Sequence, residues 1–375
     1  MLQFARPRPL RAVLLFALSL GFVASPAASL VEAKATRASR ATRATPQKTV
    51  STASRTTKRT LKTKAATRRA KPAKTTPRYS ASKARQRRLA MARARQAAYA
   101  RQLKEIQTPQ FKADADGQLV PDIRAGAAIV YNPTTHEVLY ESNAQTPRSI
   151  ASITKVMTAV AFLENEIDLT REVVVHAEDV RAASTTYLRR GDRVTVNQLL
   201  HLLLIGSDNV AARTLARASL YGPIGFIERM NQKAAELGLT RTRYADPSGL
   251  YADNMSSAFD MARLISFASG DERLATIMRM KEYEFSSPRR TVTLHNTNHL
   301  VGSDVDVRGG KTGFISKSGY CLATLLRLPQ GDQVAVVVLG AKSNPARFWE
   351  TRHLFNWLAS KTPSLLATQA SDQQE

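Results

Sequence analysis

Cysteine is almost missing from this chain. Of 375 residues only one, Cys321, is Cys, so no disulfide can form within the chain and the fold must rest on packing. Its setting, Tyr320-Cys321-Leu322-Ala323, reads as a buried strand position rather than a reactive thiol. Acidic residues are missing from one long stretch: residues 34–104 hold 23 Lys/Arg and no Asp or Glu, whereas residues 105–375 hold 29 of each sign. The net charge of +25 therefore sits in the N-terminal quarter, and the rest of the chain is neutral. Near the start, the apolar run Ala12 to Ala24 covers 13 residues, short of the ~20 that a membrane-spanning helix needs.

That run follows Arg6, Arg8 and Arg11 and precedes small residues around Ser25 to Ala28, the pattern of an export signal over 1–28. An uncleaved anchor is the competing reading. Without a paired-arginine signature, secretion of an unfolded chain is favoured, which places the protein outside the cytoplasm, in a periplasm or at a cell wall. The residues of 29–104, low in complexity over 34–104 and built mainly from Ala, Thr, Ser, Lys and Arg, cannot bury enough apolar surface to offset chain entropy. They read as a disordered basic linker, with helix favoured from Ser80 to Ile106 by Ala, Arg, Gln and Leu. As a partner, this stretch suggests an anionic wall or membrane surface rather than nucleic acid, because export and the lack of interleaved aromatics argue against base stacking. A solvated spacer is the plainer alternative. The folded domain is expected over 105–362, followed by a short polar tail over 363–375.

Within that domain three short motifs stand in order: Ser152-Ile153-Thr154-Lys155, Ser207-Asp208-Asn209 and Lys311-Thr312-Gly313. Ile153, Val156, Met157 and Val160 recur at helical spacing, so a helix is expected to open at Ser152 and run to about Asn165. Residues three apart on a helix are neighbours, so the Lys155 amine can reach the Ser152 hydroxyl. A hydroxyl needs a base beside it, and a lysine serves only when burial or nearby cations lower its pKa. Ser207 and Asn209 follow an apolar run broken at Gly206 and fall on a turn between two buried helices. Lys311 is expected on or at the end of a strand, with Gly309, Gly310 and Gly313 clearing side chains around it. Together the motifs describe serine acyl transfer without histidine.

In order and spacing these residues resemble the low-molecular-mass penicillin-binding serine D,D-peptidases, whose SxxK, SxN and KTG elements they match. Ala151 to Leu163, Tyr244 to Ala262 and Asn296 to Cys321 look like the same family, nearest its endopeptidase branch. The resemblance implies an α+β fold, a five-stranded antiparallel sheet flanked by helices plus an all-helical lobe. It implies Ser152 as nucleophile, Lys155 as its base and Ser207 as proton relay to the leaving amine. Asn209 would hold the substrate backbone, Lys311 supply positive potential, and Thr312 and Gly313 border the substrate. The oxyanion hole would be the backbone N–H groups of Ser152 and Phe314. The implied partners are peptidoglycan peptides, with β-lactams as covalent inhibitors, and no cofactor or metal is implied.

Competing patterns are weaker. His295 and His299 are four apart, but Asn296-Thr297-Asn298 is a poor helix and no glutamate completes a zinc-protease motif. His176 and His201 read as packing or surface residues, and Asp246-Pro247-Ser248-Gly249 as a turn that shapes the site. A β-lactamase needs a deacylating glutamate after the second motif, and no E-x-x-L-N segment lies between Asp208 and Lys311. Two features favour an endopeptidase over a carboxypeptidase: Phe314 stands where carboxypeptidase relatives often carry histidine, and the chain stops soon after Leu358. A non-catalytic penicillin-binding sensor is disfavoured by three intact motifs.

Overall fold

The structure, a computed structural model, describes residues 79–372 apart from 166, 185 and 288. The expected signal segment 1–28 and the linker up to residue 78 lie outside the described residues. From Tyr79 to Gln107 the chain forms helix α1, close to the helix expected over Ser80 to Ile106, and the expected domain boundary at 104 falls inside it. Its Ala, Arg, Gln and Leu content is the local cause, and its last turn is fixed by Ile106 packing on the core and an Arg124–Glu105 ion pair at 2.9 Å.

Strands from two distant parts of the chain make one five-stranded sheet. Strands β1 (Ala127–Tyr131) and β2 (Val138–Ser142) form the first hairpin. Strands β3 (Asp306–Ile315), β4 (Gly319–Arg327) and β5 (Gln333–Ala341) come from the other end of the chain. Their spatial order is β3-β4-β5-β1-β2, antiparallel throughout, with Val337 opposite Ile129 where the two chain ends meet.

Alternation along β5 explains how the layers form. Ala335, Val337 and Leu339 enter a core with Ile129, whereas Val334, Val336 and Val338 enter a second core with Val130. Both faces are covered, so the strand reads as one apolar run rather than an in/out alternation. The first core is closed by helices α2 (Thr154–Phe162), α3 (Val196–Leu204), α4 (Asn209–Ala218), α5 (Gly222–Glu236), α6 (Ala258–Gly270) and α7 (Glu272–Arg279). The second is closed by α8 (Asn344–Asp372), through Leu354, Phe355 and Trp357. Helix α8 runs through the expected domain boundary at 362. The result is the α+β architecture, with a five-stranded antiparallel sheet between helical layers.

Candidate active site

Ser152 does not open the α-helix, as its periodicity suggested. It lies in a 3-10 turn, Ala151–Ile153, and α2 proper starts at Thr154. Ala151 is held at φ 48°, a left-handed value that costs energy for a residue with a Cβ. Two glycines from distant segments clamp this turn. A Cβ at Gly249 would lie 2.0 Å from Ala151 O, and one at Gly313 would lie 2.5 Å from Ile150 O and 3.2 Å from Ser152 N. Only glycine permits those approaches, and they press the Asp246–Gly249 turn and strand β3 against Ser152.

Lys155 is fully buried one helical turn on. Its Nζ donates to Ser152 Oγ at 2.9 Å, to Asn209 Oδ1 at 2.7 Å and to the Ser248 carbonyl at 2.5 Å. Burial pushes the ammonium down to about 7, against the opposing pull of Asp246 and Asp208. An amine with that pKa is partly neutral near neutral pH. Two of its directions are closed by acceptors, so the lone pair of the neutral form faces Ser152. The next turn of α2 supports the arrangement: Thr158 Oγ1 donates to Pro247 O at 2.6 Å.

The second motif is a tight turn between helices, as its sequence implied. Thr195 and Gln198 cap α3 reciprocally, at 3.1 and 3.0 Å. Leu294 packs so closely on Gly206 that a Cβ there would lie 2.6 Å from it, and Ser207 then takes φ 56°. Asp208, to which the sequence reading gave no role, is buried and accepts from the N–H groups of Val210, Ala211 and Tyr187 and from Thr186 Oγ1. It is the N-cap of α4, a role its position directly before a helix makes legible. Asn209 spends its amide on the protein: Oδ1 accepts from Lys155 and Nδ2 donates to Ser184 O.

Lys311 and Thr312 lie within β3 rather than at its end. Lys311 is buried, and burial pushes its ammonium well below the usual lysine range, with repulsion from Lys155 and Arg347 adding to the effect. Its Nζ donates to Thr312 O at 3.0 Å, and Thr312 Oγ1 donates to Thr297 at 2.8 Å. Arg347, on α8, was missed by sequence reasoning. Its Nη1 donates to Gly313 O at 3.1 Å and Cys321 O at 3.2 Å, which fixes β3 from below. Phe314 is 48% exposed and stacks on Tyr320 at 4.2 Å. Cys321 is buried on β4, and burial pushes its thiol up.

These residues converge on one cleft of about 500 Å³, lined by Ser152, Ser207, Asn209, Thr312, Gly313, Phe314 and Arg347 among others. Among the described residues no glutamate lines it. Glu164 is instead ion-paired with Arg229 at 2.6 Å and with Lys233. Residues 113–343 match the D-alanyl-D-alanine carboxypeptidase family.

The chain belongs to that family. Membership makes it a low-molecular-mass penicillin-binding serine D,D-peptidase, and the structure carries the corresponding fold. A D-alanyl-D-alanine endopeptidase of Escherichia coli is 31% identical over 64% of this chain and 78% of the relative. An E. coli D-alanyl-D-alanine carboxypeptidase, DacC, is 35% identical over 63% of this chain and 62% of the relative. The solved Streptomyces K15 DD-transpeptidase has 31% identity and a TM-score of 0.60, over 63% of this chain and 97% of that one.

The family's motif residues lie together in the cleft, and the histidines outside it have local partners. His295 pairs with Glu282 at 3.4 Å and His299 stacks on Phe348. His201 stacks on Tyr283, and His176 bonds Glu178. Among the described residues no group of three or more His, Cys, Asp or Glu is placed to hold a metal ion.

Proposed function

We propose that this peptidase cuts peptidoglycan peptides at D-alanyl bonds through an ester on Ser152, and that its main substrate is the D-alanyl cross-link. The observation that supports this best is the 2.9 Å bond between Lys155 Nζ and Ser152 Oγ, made by a buried amine with a pKa of about 7. Neutral Lys155 takes the Ser152 proton as Oγ attacks the D-alanyl carbonyl carbon. The developing oxyanion is held by the backbone N–H groups of Ser152 and Phe314, a reading supported by the close approach of Gly313, the residue before Phe314, to the Ser152 turn. Collapse breaks the C–N bond, and the proton passes through Ser207 to the leaving amine. Water then hydrolyses the ester, regenerating Ser152.

In this reading Asn209 acts through Lys155, fixing its direction, rather than by holding substrate backbone with a free amide. Lys311, Thr312 and Gly313 form the border along which the peptide lies. β-Lactams acylate the same serine. The protein is exported by its first 28 residues and kept near an anionic wall or membrane surface by the basic stretch 34–104. Among the described residues no helix is long and apolar enough to cross a membrane.

Endopeptidase action is supported by Phe314 and by the endopeptidase relatives, which this chain covers over 78% and 79% of their length. One observation favours the carboxypeptidase alternative: Arg347, whose Nη1 is held by Gly313 O and Cys321 O, lines the cleft and adds positive charge that attracts a free terminal carboxylate. Incubation with cross-linked dimeric and with pentapeptide muropeptides, read by mass spectrometry, separates them. Faster conversion of dimer to monomer is the expected result. Preferential release of free D-alanine reverses the assignment.

A further inference from the structure

Asp246 is a buried carboxylate to which the acylation steps above give no part. Five neutral donors converge on it. Oδ2 accepts from the Ser248 N–H at 2.9 Å and from the Ser248 hydroxyl, while Oδ1 accepts from the N–H groups of Gly249 at 3.2 Å and Tyr251 at 3.1 Å and from Asn254 Nδ2 at 2.5 Å. An aspartate that bonds the N–H two residues on folds its own backbone into a turn. That turn faces the base: Ser248, held by Asp246 through both its N–H and its hydroxyl, gives its carbonyl to Lys155 Nζ at 2.5 Å. Asn254 carries the same network to the chain that leads into Ser152. Its Oδ1 accepts from Ala245 N at 3.0 Å, and its backbone carbonyl accepts from Ile150 N at 3.1 Å.

Charge makes a second link between Asp246 and Lys155. The charged groups that act on the amine are Asp246 itself, Asp208 at the N-cap of α4, Arg213 on α4 and Lys311 on β3. Burial lowers the ammonium most, Asp246 opposes that lowering more than Asp208 does, and Arg213 adds to it. The balance matters because a base acts best when its pKa lies near the working pH, and burial alone would take Lys155 below that range. Asp246 thus keeps a fully buried amine basic enough to accept a proton.

We propose that Asp246 is a positioning residue for acylation, which aims the Ser248 carbonyl at Lys155 and holds a negative charge near the amine. It acts through Ser248 and Lys155 rather than on the reacting atoms. The assignment rests on Lys155 as the base of the D,D-peptidase reading. Its two parts leave different marks on a pH–rate profile: the aim of the carbonyl sets the plateau, and the charge sets the midpoint.

The test uses the full-length protein. Stopped-flow acylation by benzylpenicillin is followed from about pH 5 to about pH 9 in wild type, Asp246→Asn, Asp246→Ser and Thr158→Val, with a thermal melt of each. Asn keeps the size of the side chain and Ser keeps a turn-forming oxygen, and both remove the charge. Thr158→Val loosens the same turn at Pro247 without touching a charge. The wild-type rate should rise through a midpoint of about 7. Both Asp246 variants should move that midpoint down by roughly one pH unit, the low end of what a nearby opposite charge supplies, and lower the plateau about 10- to 100-fold. Thr158→Val should lower the plateau and leave the midpoint in place. A midpoint that stays or rises in both Asp246 variants overturns the role whatever the plateau does, and so does an equal downward shift in Thr158→Val. Loss of the fold in both Asp246 variants would make Asp246 a residue of the fold alone and overturn it as well. A wild-type profile with no rise through neutrality would instead remove Lys155 as the base, a failure of the wider reading that takes this role with it.

Discussion

Lys155 Nζ lies 2.9 Å from Ser152 Oγ, with its two other hydrogen-bonding directions closed by Asn209 and Ser248. A neutral amine so framed keeps its lone pair for one proton, that of Ser152. The pH dependence of acylation follows from this geometry and from the depressed pKa.

The neutral fraction of Lys155 grows as pH rises through about 7. Acylation by benzylpenicillin should therefore be slow at pH 5.5, climb through neutrality and level off above pH ~8. Lys155→Arg keeps the charge but supplies no neutral amine, and should cost about 10²-fold or more in acylation rate. Stopped-flow measurement gives both quantities. A flat profile in the wild type means that another group takes the proton.

Deacylation by water needs a base, and among the described residues no glutamate lines the cleft. The benzylpenicillin adduct should accordingly persist far longer than an acylation half-time, and intact-protein mass spectrometry should find it on Ser152. Ser152→Ala should show none. Rapid release of hydrolysed penicillin would mark a β-lactamase.

The three motifs and the helices flanking Ser207 were legible because they depend on local spacing. The Ser152/Lys155 contact is a matter of three residues along one chain. The Ser248 carbonyl was not legible as a ligand of Lys155, since the approach of residues 93 apart is set by the clamp of Gly249 on Ala151. Arg347 was hidden for a similar reason: on its own helix it looks like an ordinary polar position, and its partners are carbonyls of two strands. The extra 3-10 turn before α2 arises from that clamp, which local periodicity does not carry.

Gly249 is the sharpest test of that clamp. Its φ is 80°, and an added Cβ would lie 2.0 Å from Ala151 O. Gly249→Ala should destabilise the protein by about 1–3 kcal/mol and reduce acylation more than a stability loss explains, because the Ser152 turn must move. Gly270→Ala is the control, since nothing lies within 4 Å of its new Cβ. Thermal melts and acylation rates on both variants decide. Equal behaviour would remove the clamp from the argument.

Burial raises the Glu350 carboxyl to about 7, while its side chain accepts from Ala125 N at 3.0 Å. In the unfolded chain the same group ionises near its ordinary value of ~4.3. A raised folded pKa favours the protonated form, so stability is unaffected below the unfolded pKa and falls as pH rises from about 4.5 to 7. The loss is at most about 4 kcal/mol, at ~1.4 kcal/mol per pKa unit. Glu350→Gln keeps an acceptor for Ala125 and should flatten this part of the stability profile. Urea melts between pH 4.5 and 8 measure it, and parallel wild-type and variant curves would show that Glu350 does not titrate in the fold.

The basic stretch yields the last prediction, because its final part is structured. From Tyr79 to Lys104, α1 and the segment it shares with the linker carry eight Lys/Arg and no acid. With 3.6 residues per turn, Arg85, Arg87, Arg88 and Arg93 point in well-separated directions around the axis. Charge on all sides suits a surrounding anionic wall polymer better than a flat bilayer, which would select one charged face and one apolar face. Attraction between exposed charges is screened over about 8 Å at physiological salt. Binding of the full-length protein to isolated cell wall should therefore weaken steeply as salt rises. Replacing Arg85, Arg87, Arg88, Arg93, Arg95 and Arg101 by Gln keeps good helix formers but removes most of the charge. That variant should cosediment less with wall at low salt, show a shallower salt dependence and turn over small soluble muropeptides at the wild-type rate. If wall binding and its salt dependence are unchanged, α1 is a spacer, and any tether lies in the residues that precede it.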